Sequence, residues 1–139
     1  MTRASFKPTG LSLQHAANAA YDYAVRAGDL IFISGQVARD GKGDPVGVGD
    51  FEAQAVRVFE NLSLVLASAG GTLADIVDTR MYILDRDHRP ILNAVRKRYY
   101  PGPDFPCSTL LIVNGLAHPD LMLEIEAVAY LPAKATGAA

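Results

Sequence analysis

Leu30-Ile31-Phe32-Ile33 and Leu110-Leu111-Ile112-Val113 are both apolar at four consecutive positions. A strand that alternates can leave one face in water, but a strand without alternation predicts cover on both faces. Material for that cover is scarce, because only two stretches of the chain carry helical periodicity. In the first, Phe51, Ala55, Val58, Phe59, Leu62 and Leu66 step by three or four and form one apolar stripe. Asp50 precedes it as a candidate N-cap and Gly70-Gly71 follows it as a terminator. The second runs from about His88 to Tyr100, with Pro90 tolerable in its first turn and Pro101-Gly102-Pro103 as a firm stop.

Strands fill the remainder. Tyr21, Tyr23, Val25 and Ala27 alternate with Asp22, Ala24 and Arg26, and Gly28-Asp29 turns this strand into Leu30–Ile33 as a hairpin. Ile76 to Leu84 predicts a third strand, and Cys107–Val113 and Leu123–Leu131 predict two closing strands. The glycine-rich stretch from Arg39 to Asp50 reads as a loop. The order β-β-α-β-α-β-β predicts an α+β fold, one mixed sheet with both helices on the same face. The other face then needs a partner, so a homo-oligomer is expected. Residues 1–139 read as one domain, with 1–14 and 132–139 peripheral to it.

Composition narrows the function classes. The formal charge of -2 gives no field that favours nucleic acid. The cluster Arg96-Lys97-Arg98 reads as cations complementing the carbonyl end of the second helix. A single cysteine, Cys107, excludes an intramolecular disulfide framework. Met1 to Gly10 has no apolar core of a signal peptide, and no run approaches the roughly 18–20 apolar residues of a membrane span. A soluble cytoplasmic protein without a membrane role is expected.

Few residues offer chemistry. In Glu124-Ile125-Glu126 the two carboxylates share one strand face, as a raised-pKa acid/base site or as the wet side of the sheet. Ser34-Gly35-Gln36 ends a strand with a glycine, which allows close approach to the backbone or marks a bulge. Gly41-x-Gly43 is followed by Val46 where a dinucleotide fingerprint needs glycine, and no Gly-Lys-Ser/Thr occurs. His15, His88 and His118 have no metal-ligand spacing with one another or with Cys107. Neither Cys107 nor Ser108 has a base placed by the sequence to activate it.

Several segments in order carry a resemblance to the RidA/YjgF family, from about Tyr21 to Leu131. They are Tyr21 with Leu30-Ile31-Phe32-Ile33-Ser34-Gly35-Gln36, Asn61-Leu62, Asn93, Phe105-Pro106-Cys107-Ser108-Thr109, and Leu116-Ala117-His118-Pro119-Asp120 leading to Leu123-Glu124-Ile125-Glu126-Ala127-Val128-Ala129. The resemblance implies a chorismate-mutase-like fold, assembled as a homotrimer with a central barrel and small-molecule clefts between subunits. It implies hydrolysis of imine or enamine metabolites to carbonyl compounds and ammonia, without cofactor or metal. Carried over by position, Glu124 is the catalytic residue, and Tyr21, Ser34, Gly35, Asn93, Ser108 and Leu110 contact the substrate.

One element departs from the family pattern. The arginine that grips a substrate carboxylate falls at Ser108, and the common cysteine falls at Leu110. A serine offers neither charge nor a bidentate fork. The implied substrate is therefore something other than a simple 2-imino acid, with Arg26, Arg80 and Arg89 as alternative sources of charge. A non-catalytic metabolite-binding trimer and, less favoured by the charge balance, a ribonuclease are the competing readings.

Overall fold

The computed structural model describes residues 3–11 and 20–133. Gly28 takes φ 62°, a left-handed value that costs a glycine little, and folds β2 (Ala24–Ala27) back onto β3 (Leu30–Gln36). Four further strands complete one sheet: β1 (Arg3–Phe6), β4 (Ile76–Ile83), β5 (Cys107–Ile112) and β6 (Leu123–Tyr130). The strand order is β1-β2-β3-β6-β4-β5. β4 and β5 run parallel, and every other neighbouring pair runs antiparallel. The mixed sheet and the order of the helices follow the expectation, with β1 added at the edge. Arg3-Ala4-Ser5-Phe6 alternates over only four residues, and Phe6 alone packs against the core, too short a pattern to read as a strand.

Helix α1 (Phe51–Ser68) starts where its cap chemistry dictates. The Asp50 carboxylate accepts from the Ala53 N–H at 3.0 Å, satisfying a donor that the first turn leaves unpaired. Asp50→Ala is expected to cost about 1 kcal/mol in urea denaturation. Helix α2 (Arg89–Tyr99) carries Pro90 in its first turn, where no intrahelical N–H is required. Both helices lie on one face of the sheet. The α1 stripe expected from the sequence is fully buried there, beside Leu92 and Val95 of α2. Each such large side chain contributes about 1.5–3 kcal/mol by leaving water. Phe59 stacks on Tyr99 with ring centroids 4.8 Å apart and meets the edge of Tyr100 at 5.6 Å, joining the two helices.

Two buried amides of α1 connect the helix layer to the sheet ends. Asn61 Nδ2 donates to the carbonyls of Val37 (2.9 Å) and Arg39 (3.1 Å), fixing the chain as it leaves β3. Gln54 Nε2 donates to the carbonyls of Val46 (3.1 Å) and Asp120 (2.7 Å), while its Oε1 accepts from the Met122 N–H (2.8 Å). That second amide holds the chain as it enters β6.

The opposite face is open. Ile31 and Ile33 are buried beneath the helices, but Phe32 is 48% exposed and Tyr130 is 50% exposed. β5 occupies the sheet edge, with Leu111 50% exposed. Cover on both faces, as the consecutive apolar positions predict, is thus not supplied within one chain. Among the described residues no helix is long and apolar enough to cross a membrane.

Candidate active site

β6 alternates cleanly. Leu123, Ile125, Ala127 and Ala129 point into the core, which directs Glu124 and Glu126 to the open face. The pairing register of β3 and β6 shifts between Ile33 and Gln36, and within that irregularity Gly35 comes to lie against Glu124. A Cβ on Gly35 would stand 2.0 Å from Glu124 Oε1, so the carboxylate rests on the glycine backbone itself. Gly35 has no positive φ, and its bareness serves this contact rather than a turn. The Ser34 hydroxyl donates to the Asp22 carbonyl at 2.6 Å and its N–H to the Tyr23 carbonyl at 2.9 Å, so the strand end is pinned.

The two carboxylates have different surroundings. The Tyr82 hydroxyl donates to Glu126, and this bond, followed by burial, raises the tyrosine pKa. Glu124 has no hydrogen-bond or ion-pair partner among the described residues. Burial, and then the neighbouring Glu126 charge, raise its pKa above the ordinary glutamate value. Both carboxylates thus face the open side of the sheet, where Glu124 is half-buried. Beside it lies a cavity of about 360 Å³, walled by Gly35, Tyr82, Gly115, Leu116 and Ala117. Tyr21 stands on the other side of Gly35, near Ser34 and Tyr23, and is 50% exposed.

The raised pKa has a consequence for stability. In the pH window between the unfolded and folded values, the folded state binds more protons, so wild-type stability falls as pH rises and then levels off above the folded value. Glu124→Gln removes this term. Its urea midpoint relative to wild type is expected to improve as pH rises above the ordinary glutamate value, and to level off above the folded one. A pH-independent difference between the two would contradict the assignment.

Ser108 and Asn93 form a separate group. Ser108 pairs with Thr79, a buried residue, on the helix-covered side, whereas Glu124 pairs with Tyr82 on the open side. Within one chain the two groups therefore sit three residues apart along the sheet and on opposite faces. Asn93 and Ser108 meet through Arg96. Its Nη1 donates to Ser108 Oγ at 3.0 Å, and its Nε and Nη2 donate to Asn93 Oδ1 at 3.2 and 2.5 Å. These residues line a cavity of about 300 Å³ with Tyr100, Phe105 and Pro106. The buried Tyr100 hydroxyl has no hydrogen-bond partner among the described residues. Burial pushes its pKa up to about 12 against the opposing charge of Arg96. Leu110 is half-buried against the core and lines neither this cavity nor the one beside Glu124.

The sequence reads Arg96 as complementing the end of the second helix and offers Arg26, Arg80 and Arg89 as the alternative sources of charge. Arg26 instead donates to the carbonyls of Gly28 (3.3 Å) and Leu131 (2.6 Å), Arg80 lies 3.8 Å from Asp78, and Arg89 is exposed at the start of α2. The basic cluster divides: Arg98 pairs with Glu52 on α1, while Lys97 and Arg96 line the cavity. The available signal was the three-residue spacing of Asn93 and Arg96, which puts both on one helix face. His88 stacks on Phe51 at 4.3 Å, His118 Nδ1 accepts from the Asp120 N–H at 3.0 Å, and His15 lies outside the described residues. No group of three or more metal-ligating side chains occurs among the described residues.

Comparisons with known proteins bear on the family and the fold. The family described as Endoribonuclease L-PSP matches residues 12–131. The 3-aminoacrylate deaminase RutC of Acinetobacter baylyi is 34% identical over 110 or more aligned residues (113), covering 81% of this chain and 88% of that protein. The solved structure of the protein YjgH superposes with a TM-score of 0.85 at 32% identity, over 96% of this chain and all of the other (100%). The structure of RidA from an Antarctic Psychrobacter superposes with a TM-score of 0.81 at 28% identity, over 92% of this chain and 99% of the other. With the open-faced mixed sheet, the Glu124–Gly35 contact and a family match spanning most of its length, this chain belongs to the RidA/YjgF family, the Endoribonuclease L-PSP family of the profile match.

Proposed function

We propose that the protein is a deaminase-type hydrolase, acting on a small imine or enamine metabolite in clefts between the copies of a homotrimer. The observation that carries this reading is the Glu124 carboxylate, seated on the Gly35 backbone with its pKa raised by burial. A carboxyl of that kind can take a proton from water as the water adds to a C=N carbon. It returns that proton to nitrogen to give the carbinolamine, and then carries the hydroxyl proton to nitrogen as the C–N bond breaks, leaving a carbonyl compound and ammonia. With an enamine, the same carboxyl first protonates carbon to give the imine. That a relative 34% identical is a 3-aminoacrylate deaminase supports the same chemistry, since 3-aminoacrylate is an enamine.

The division of the candidate residues supports this assembly. Tyr21, Ser34, Gly35 and Glu124 lie in one group, and Asn93 and Ser108 in another on the opposite side of the sheet. A neighbouring copy, docked on the open face and the β5 edge, would put the first group of one chain beside the second group of another. Because Ser108 presents a hydroxyl where a strand-borne cation would stand, the preferred substrate differs from simple 2-imino acids.

Ammonia release tests the reading, using 2-iminopropanoate and 2-iminobutanoate generated in situ by an amino-acid oxidase, and 3-aminoacrylate. Release above the enzyme-free rate is expected, with 3-aminoacrylate favoured over both 2-imino acids. Silence toward all three would remove the catalytic reading and leave a metabolite-binding protein.

A further inference from the structure

We propose that Arg96 of α2 is the cation of a carboxylate-binding site in the cavity between α2 and β5. This deepens the reading above, and rests on it only for the statement that the occupant is a substrate. The guanidinium is oriented yet not neutralised. Its hydrogen-bond acceptors are Asn93 Oδ1, Ser108 Oγ and, at 3.7 Å, the sulfur of Met81, all of them uncharged. No carboxylate among the described residues lies within ion-pair distance of it. Arginine has five N–H donors, so at least one on Nη2 stays unspent after these contacts.

The neighbouring groups suit an anion. Ser108 Oγ accepts from Arg96, which leaves the hydroxyl hydrogen free to donate outward. The Tyr100 hydroxyl is buried without a partner beside this cavity, a condition that proteins generally avoid. Lys97 adds a second positive charge at the rim. The remaining walls come from the Tyr100 ring, Phe105 and Pro106, which suit a short apolar body. The free N–H of an oriented guanidinium and the Ser108 hydroxyl together match a monocarboxylate, one donor to each of its oxygens.

The guanidinium reaches Ser108 from the helix instead of projecting from β5, so the anionic end of the ligand is held toward α2.

The test is equilibrium binding to the full chain, which needs no turnover. Butanoate and its neutral isostere butanamide are titrated, with NMR shifts read on α2 and β5. Wild type is expected to prefer butanoate by about tenfold or more, the range of a charge-assisted hydrogen bond, and Arg96→Gln to abolish the preference. Equal binding of the two by wild type, a result that needs no variant, overturns the proposal. So does a preference that survives in Arg96→Gln. Failure of the enzymatic reading is seen separately, as absent ammonia release by a protein that still selects butanoate.

Discussion

Glu124→Ala is expected to lower ammonia release by about 10²–10⁴-fold, the range over which a positioned general acid–base accelerates proton transfer. The effect is this large because nothing nearby can stand in. Glu126 shares the strand face, but the Tyr82 hydroxyl is bonded to it, and it lies two residues further along β6. Glu124→Gln keeps the shape of the side chain and removes the titratable group, so it should be nearly as slow. Both variants should fold, since Glu124 makes no hydrogen bond or ion pair with the described residues that folding would lose. The measurement is initial rate against the best of the three substrates at saturating concentration. A loss smaller than about tenfold would take Glu124 out of the proton path.

Gly35→Ala is expected to be the second large effect, and to separate activity from stability. The added methyl would meet Glu124 Oε1 at 2.0 Å and Cδ at 2.8 Å. Something must yield, and the strand cannot. Ser34 is tied to Asp22 and Tyr23, Gln36 is buried, and Asn61 grips the carbonyls of Val37 and Arg39. The carboxylate, the free end of a flexible side chain, therefore swings away. Displacement by an ångström or more from a reacting centre costs about 10²-fold, so ammonia release should fall by at least that factor. Stability should change by no more than about 1 kcal/mol, because the backbone at Gly35 suits alanine and the unfolded chain loses freedom. A variant that keeps full activity, or one that fails to fold, would contradict the contact as described.

How far the sequence reveals this molecule differs element by element. The α1 stripe, its Asp50 cap and the alternation of β6 are local patterns, and each is found where its spacing puts it. β1 is not visible in advance, because four edge residues of which only Phe6 is partly buried make too short a pattern. The site is legible by halves. The alternation around Glu124 assigns its face, but only the irregular β3/β6 register brings Gly35 beneath it. That Ser108 pairs with Thr79 depends on the pairing of β5 with β4, and no local pattern specifies it. Arg96 is hidden for a related reason. Its spacing from Asn93 is readable, whereas the strand that α2 faces at that turn is a tertiary fact.

Gln54 gives the architecture a property of another kind. Its amide grips Asp120 and Met122, so β6 begins from a point fastened to the helix layer, two residues ahead of Glu124. Gly115, Leu116 and Ala117, which wall the cavity, all lie upstream of that fastening. The chain thus separates a tunable part from a fixed one. Exchanging side chains, or adding residues, between Gly115 and Ala117 reshapes the space offered to a ligand, while the carboxylate keeps its seat. A lineage built on this plan can change its diet without relearning its chemistry.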